Sequence, residues 1–258
     1  MTRDESQAYE HPLARKNLSV LKALQAEGQT AGSRGHHMQI TGFFHWGFVV
    51  YRCDYSDDAL FDRFIAYLQE QTERYHRDRK QDHTTGRYLR WTLMQDHEAL
   101  DGTTKNTVRR RFVEWRDGLS VERDGPGADR RITPYLPRFE YCVRVGRDSL
   151  DSLRAHEGTL RAGQKKHEAP PVFFTIVRTE QRPAGLPEGY DPDEDDDNGE
   201  NECDEDPASA PRAIEGCMDE DVGWMYVPAD HWVTLYEELH DDQAWYYLYR
   251  RPPGIVKF

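Results

Sequence analysis

Three stretches of the chain share one order of residue patterns, and this recurrence limits the fold more than any other feature. In residues 43–94, 138–177 and 223–249, an apolar run is followed by a polar step, an amphipathic stretch and a second apolar run. Such apolar runs are typical of strands and such amphipathic stretches of helices. Two successive units have the order of a ferredoxin-like split β-α-β sheet. We therefore predict an α+β fold, an antiparallel or mixed sheet with helices on one face, plus a third β-α-β unit.

Residue spacing and turn residues predict the individual elements. Phe43–Cys53 is a long apolar run rich in β-formers, which predicts a central strand. Apolar residues in 60–68 recur at helical spacing, which predicts a helix that begins near Ser56 and frays over Glu73–Gln81. Further strands are predicted over 88–94, 138–145 (half-buried), 171–177, 223–227 and 244–249, and further helices begin near Thr103 or Thr104, Asp148 and Asp230.

An acidic run interrupts this pattern before the third unit. Residues 191–206 hold seven Asp, four Glu and no Lys or Arg, and without these 11 carboxylates the formal net charge of −13 becomes −2. Residues 182–213 contain too few apolar side chains to offset the entropy cost of ordering, so we predict a disordered acidic insert. Residues 1–37 are predicted as a flexible N-terminal segment with a marginal helix, and 38–258 as a single α+β domain.

Cysteine usage and hydropathy indicate a compartment. The four cysteines form no Cys-x-x-Cys pair, and Cys53 and Cys142 lie in apolar strand-like runs, where a buried thiol is expected. No apolar run approaches the roughly 18 residues of a membrane span. Residues 1–11 lack the charged and then apolar pattern of a secretory leader. We expect a cytoplasmic or nuclear protein with reduced thiols and no membrane partner.

Several sequence blocks together resemble a group of uncharacterised intracellular proteins of filamentous fungi. The blocks are WGFVVYRC at Trp46–Cys53, VRRRFVEW at Val108–Trp115, RFEYCVRV at Arg138–Val145 and the closing residues 223–254. The likeness extends over most of residues 40–254. It implies a eukaryotic intracellular setting and no particular activity, cofactor or site residue.

The acidic run contains a near match to a calcium-binding loop. The pattern D-x-[DN]-x-[DN]-G-x5-E is met by Glu194, Asp196, Asn198, Gly199 and Glu205, except that the first ligand is Glu. The flanks are rich in Gly and Pro, not helical. We therefore expect no metal site and no cofactor, and keep the four side chains with oxygen ligands as weak candidates for cation binding.

The charge pattern allows two interpretations of the acidic insert. It either covers a basic face formed by 74–80 and 109–111, and so competes with an anionic partner, or the two are unrelated solvated surfaces. Residues 72–144 contain 16 Lys and Arg against 12 Asp and Glu, an excess of only four. A nucleic-acid footprint needs more concentrated charge, so we do not expect a nucleic-acid partner.

Catalytic motifs are absent from the sequence. It contains no G-x-S-x-G, H-E-x-x-H, glycine-rich phosphate loop or dinucleotide fingerprint. The weak candidates for acid–base catalysis are His45 in the first strand and His97 with Asp101 after the second strand. An enzyme that uses them requires both histidines and an acid to converge in one pocket.

The aromatic residues suit small-molecule or peptide recognition, but they also suit an ordinary core or a homodimer interface. The binding candidates are Trp46, Tyr51, Trp91, Tyr141, Trp224 and Tyr226. Because no catalytic constellation is recognisable, we expect a non-catalytic binding or protein-interaction protein whose partner is an unknown protein or small molecule. The alternative is a small-molecule enzyme with an aromatic-lined pocket and His/Asp acid–base residues.

Overall fold

The computed structural model describes residues 32–78, 86–179, 213–215 and 217–258. The predicted marginal helix of the N-terminal segment and nearly all of the acidic insert lie outside these residues. So do the four candidates for cation binding, Glu194, Asp196, Asn198 and Glu205.

The described residues form five strands and nine α-helices. The strands are β1 (Val49–Arg52), β2 (Thr92–Met94), β3 (Tyr141–Val145), β4 (Phe173–Arg178) and β5 (Trp224–Pro228). The helices are α1 (Gly32–Thr41), α2 (Asp58–Asp78), α3 (His97–Leu100), α4 (Lys105–Asp117), α5 (Val121–Asp124), α6 (Pro137–Glu140), α7 (Arg147–Arg161), α8 (Trp232–Glu238) and α9 (Ala244–Leu248). Short 3-10 turns lie at Thr133–Tyr135, Lys166–Glu168 and Ala229–His231.

The five strands form one mixed sheet in the order β2-β1-β3-β4-β5. Strands β2, β1 and β3 are parallel, and β4 is antiparallel to both of its neighbours. The chain goes from β1 outward to β2 and then crosses back to β3, so the strand order reverses between β1 and β3. The predicted combination of helices with a mixed sheet is confirmed, whereas the ferredoxin-like split β-α-β order is not.

Helices pack on both faces of the sheet, not on one face as predicted. On the first face, which we call the multi-helix face, Val50 and Val143 pack with residues of α2, α7 and α8. On the second face, which we call the α4 face, Val49 and Cys142 pack with Phe112 of α4. Because β3 is covered on both sides, it is buried along its whole length and not half-buried as its alternating sequence suggested.

The N-terminal part of the described chain is more ordered than predicted. Residues expected as a flexible link form α1, which places Met38 in the core at 3% exposure. Arg34 of α1 forms an ion pair with Glu237 of α8, and its guanidinium lies 4.0 Å from the Trp46 ring centroid. These tertiary contacts outweigh the weak helix propensity of a segment with two glycines.

The first strand is shorter than its apolar sequence suggests. The ladder begins at Val49, and before it only Trp46 forms an isolated bridge, to Leu89. Between them Gly47 has φ +99°, and a Cβ there would lie 2.7 Å from Leu89 Cδ1. The backbone therefore bends at Gly47, and Phe43, Phe44 and Trp46 are core residues without a continuous ladder.

The prediction of a last strand over 244–249 is wrong, because these residues contain α9. A strand would place Trp245 and Tyr247 on the same face, yet Trp245 is 0% exposed and Tyr247 is 70% exposed. The third unit therefore continues from β5 into helices. By contrast, α4 begins where predicted, because Thr104 Oγ1 accepts a hydrogen bond from the Thr107 N–H at 3.2 Å.

No helix in the described part of the chain combines the length and the apolar character that crossing a membrane requires.

Candidate functional site

A cleft of about 540 Å³ lies between the C-terminal half of α2 and the segment that leads into α8. We call it the α2–α8 cleft. Its volume is within the range of about 300–1,000 Å³ that is typical of ligand sites. The lining residues are Gln71, Arg74, Tyr75 and Asp78 from α2, Asp230, His231, Thr234 and Glu238 from the opposite side, and Phe258.

The cleft has two walls, one formed by a face of α2 and the other held in place by a buried tryptophan. The four lining residues of α2 are spaced i, i+3, i+4 and i+7, so they share one face of the helix. The opposite wall is fixed by Trp232, which is fully buried and donates its Nε1–H to the Leu68 carbonyl at 3.1 Å. The helix does not fray after Glu73 as predicted but continues to Asp78, and this last turn completes the cleft.

Gln71 is the most unusual residue of the cleft. It is only 3% exposed as a whole, and its carboxamide has no hydrogen-bond partner among the described residues, but its polar atoms reach the solvent in the cleft. A carboxamide can donate two hydrogen bonds and accept two, so water or a ligand in the cleft can pair with it.

The cleft carries an excess of negative charge. Arg74 Nε lies 3.5 Å from Asp78 Oδ2, so these two side chains form an ion pair. The carboxylates of Asp230 and Glu238 have neither an ion-pair nor a hydrogen-bond partner among the described residues. Burial, together with the nearby charge of Asp230, raises the pKa of Tyr67 to about 12. The lining therefore attracts cations.

An aromatic pair forms one part of the cleft wall. The His231 and Phe258 rings are stacked with centroids 4.9 Å apart and planes within 4°. Tyr75 adds a third ring from α2. Aromatic faces next to carboxylates favour ammonium and guanidinium groups through cation–π attraction.

The two predicted catalytic histidines lie beyond opposite ends of two neighbouring strands. His45 precedes β1, whereas His97 follows β2, and these strands are parallel. His97 Nε2 is 3.8 Å from Asp101 Oδ2, and both side chains are exposed. His45 is half-buried, and burial and the charge of Arg138 lower its pKa. The convergence that the enzyme alternative requires is not present.

The six predicted aromatic binding residues divide between the two faces of the sheet. Trp46, Trp91 and Tyr141 belong to the multi-helix face, and Tyr51, Trp224 and Tyr226 to the α4 face. Four of them are core residues with 1–4% exposure: Trp46, Tyr51, Tyr141 and Trp224. Trp91 packs 4.5 Å from Trp232, and Tyr226 donates its hydroxyl to Asp148. These residues therefore do not line one common pocket.

The two basic runs also lie apart. Residues 74–78 belong to α2 on the multi-helix face, while residues 109–111 belong to α4 on the other face. Arg109 is used internally, since its guanidinium donates to the carbonyls of Arg178, Val222 and Gly223. The described residues thus form no single basic face for the acidic insert to cover.

Comparison with known proteins gives no assignment: no protein-family model, no curated protein and no solved structure matches the chain. Within the described residues, no group of three or more His, Cys, Asp or Glu side chains is placed to hold a metal ion. The function of the cleft must therefore be inferred from its own geometry and charge.

Sequence reasoning did not find the cleft. No sequence pattern predicts a role for Gln71, and Asp230 is predicted to begin the last predicted helix, whose N-cap residue is His231. A weak signal was present, because Gln71 follows Leu68 on the apolar side of α2 at helical spacing. A polar residue at a core position is the informative kind of exception.

Proposed function

We propose that the chain is a non-catalytic binding protein and that the α2–α8 cleft receives a lysine- or arginine-bearing segment of another protein. The observation that carries this proposal is the pair of unpartnered carboxylates, Asp230 and Glu238, that line a cleft of ligand size. Cationic side chains of such a segment would pair with these charges, and electrostatic complementarity of this kind sets partner choice and the association rate.

The unpaired carboxamide of Gln71 favours a peptide over a simple amine. A peptide backbone offers both an N–H donor and a carbonyl acceptor, which are the two partners that a carboxamide needs. The stacked rings of His231 and Phe258 add an apolar and polarisable surface for the methylene stem of a lysine or the plane of an arginine.

Fluorescence anisotropy with two labelled hexapeptides, one with three arginines and one with three glutamates, tests this function. We expect the wild-type protein to bind the arginine peptide, more weakly as salt is raised. Since an exposed ion pair contributes roughly 0.2–1 kcal/mol, the loss of two pairs in Asp230→Asn with Glu238→Gln should weaken binding by roughly twofold to thirtyfold. Gln71→Leu should weaken it independently, because it removes hydrogen bonds worth roughly 1 kcal/mol.

The matched control removes two exposed acids that do not line the cleft, Glu122→Gln with Asp129→Asn. This variant has the same net charge as the double cleft variant, so it should bind like the wild type. Equal affinity of both double variants would contradict the assignment of the cleft. Binding of spermidine without binding of the arginine peptide would contradict a protein partner.

A further inference from the structure

The reversal of strand order between β1 and β3 marks a second region of interest. In open α/β sheets, ligands bind outside the carboxyl ends of the strands at such a reversal. Here the carboxyl end of β3 is followed directly by α7, and Gly146 is the N-cap residue of that helix. The region shares no residue with the α2–α8 cleft.

Arg144 provides a buried cation with unused donors at this edge. It is 9% exposed, and its Nε donates to the Thr103 carbonyl at 3.2 Å. Nη1 reaches Asp148 Oδ1 at 3.4 Å, and Nη2 has no partner in the described part of the chain. A guanidinium presents five N–H donors in a planar fork, so most of its donors here remain available.

The same guanidinium lies against the positive end of a helix. A Cβ at Gly146 would lie 2.7 Å from Arg144 Cζ, so the guanidinium covers the start of the 15-residue helix α7. No side chain of the N-cap residue accepts from this helix, and Asp148 is the acid of its first turn. A cation beside a helix N-terminus is unfavourable unless an anion compensates for it.

A buried hydroxyl next to Arg144 points independently to a missing partner. Thr175 is the direct cross-strand neighbour of Arg144, is 0% exposed, and its Oγ1 has no hydrogen-bond partner. Tyr226 pairs with Thr175 on its other side and donates its hydroxyl to Asp148 Oδ2 at 3.0 Å. Arg144, Thr175 and Tyr226 therefore form a polar row across the α4 face, with Asp148 linking its two ends.

The carboxylates near this row are already balanced by cations. Asp148 is paired with Arg144, Asp54 Oδ2 lies 3.1 Å from Arg147 Nε, and Glu215 Oε1 lies 2.8 Å from Lys105 Nζ. At the positive end of α7 the Ser149 N–H already donates to Asp148 Oδ1 at 3.0 Å, whereas the N–H groups of Arg147 and Asp148 have no partner among the described residues. These two donors and the unused donors of Arg144 would attract an added anion.

We propose that the row of Arg144, Thr175 and Tyr226 at the N-terminus of α7 binds a small oxyanion, either a carboxylate or a phosphate group. Arg144 donates to two oxygens of the anion, as guanidinium groups do with planar oxyanions. Thr175 Oγ1 donates to one of the same oxygens, and the N–H groups of Arg147 and Asp148 at the start of α7 complete the site. Neither the α2–α8 cleft nor its peptide partner is involved.

Isothermal titration calorimetry with sodium phosphate and with sodium acetate, each against sodium chloride at equal ionic strength, tests the site. We expect binding heat above the chloride control for at least one of the two anions, and the arm that gives it identifies the oxyanion. Arg144→Gln should abolish this heat. Arg161→Gln, which removes an exposed arginine at the other end of α7, should leave it unchanged.

Thr175→Val keeps the test decisive even if Arg144→Gln unfolds. The substitution preserves volume and removes a hydroxyl that has no partner, so the free protein should be as stable as the wild type or more stable. Anion affinity should nevertheless fall by about fivefold, corresponding to one lost hydrogen bond of roughly 1 kcal/mol. Unchanged affinity in Thr175→Val, or no heat above chloride with either anion, would overturn the proposal.

Discussion

At the scale of single residues, His240 is half-buried, and both of its ring nitrogens are buried without a hydrogen-bond partner in the described structure. Its ring stacks on that of His37 with centroids 4.3 Å apart. Burial, with the charges of His37 and Arg34, lowers the pKa of His240 to about 2, and burial also lowers the pKa of His37. The folded protein therefore holds these imidazoles in the neutral form.

The stability of the protein should fall as the pH drops below 6.5 because of His240. Its folded pKa lies below the ordinary value of 6.5, so the unfolded chain takes up the proton first and stability is lost as the pH falls. Between pH 7.5 and 5.0 the loss from this residue should be about 2 kcal/mol. Urea unfolding at both pH values should show a smaller difference for His240→Leu than for the wild type.

The control for this prediction is His167→Leu, since His167 is exposed. It should keep the wild-type pH dependence. An equally steep dependence in His240→Leu would show that another group controls stability in this range.

At the scale of secondary-structure elements, α1 is held by a buried ion pair. The Arg34 side chain is 3% exposed and that of Glu237 is 16% exposed, and burial raises the pKa of Glu237 although Arg34 opposes this. Removing one partner of a buried pair leaves an uncompensated charge, which costs more than the pair contributes. The docking of α1 thus depends on both residues.

Arg34→Met should destabilise the protein by about 3 kcal/mol and release α1. Hydrogen exchange of the α1 amides should become faster, while that of β3 changes less. Adding Glu237→Gln should recover part of the loss, because it removes the unpaired carboxylate. Arg63→Met, which breaks a more exposed pair with Glu157, should cost less than about 1 kcal/mol. A similar loss in both single variants would contradict a special role of α1 docking.

Element types were predictable from the sequence where local signals agreed with packing. The Thr104 cap and the spacing of Val108 and Phe112 identify α4 without the structure. Residues 244–249 were mistaken for a strand because β-formers dominate them, and only burial of Trp245 against Tyr141 decides for a helix. The prediction of a flexible segment was wrong for α1 because its local sequence disfavours a helix, while the residues that stabilise it are about 200 positions away in the chain.

At the scale of the whole molecule, the connection that contains the acidic insert joins two neighbouring strands, β4 and β5, whose connected ends lie side by side. The chain leaves β4 at Arg178 and returns before β5 at Gly223, and the Arg178 N–H donates to the Gly223 carbonyl at 3.0 Å. The entropy cost of closing such a connection rises only slowly with its length. The fold should therefore tolerate large changes in the length of the connection.

Replacing residues 180–212 by an eight-residue Gly/Ser linker should leave a cooperatively folded protein. Such a linker can span up to roughly 26 Å, and we expect the melting temperature to change by only a few degrees. Calorimetry should show one transition as in the wild-type protein. Loss of cooperative unfolding would show that the connection contributes to the core.

The order of the strands and the two candidate sites could not be predicted from the sequence. Neither the reversed direction of β4 nor the position of β1 between β2 and β3 is encoded in any single segment. Gln71 becomes notable only through its low exposure in the cleft wall, and Thr175 only through its buried hydroxyl without a partner. Residue types alone directed attention to histidines and tryptophans, which the fold uses mainly for packing.

The burial of Cys53 and Cys142 makes their alkylation a measure of how often the sheet opens. Both thiols lie on the α4 face at 2% and 0% exposure, and burial raises the pKa of each. An alkylating reagent reacts only with an accessible thiolate, so these two thiols can be alkylated only in molecules whose sheet has opened. Cys217 is half-buried, and Cys203 lies outside the described residues. The alkylation rate of Cys53 and Cys142 therefore measures the rate at which the α4 face opens in the unmodified chain.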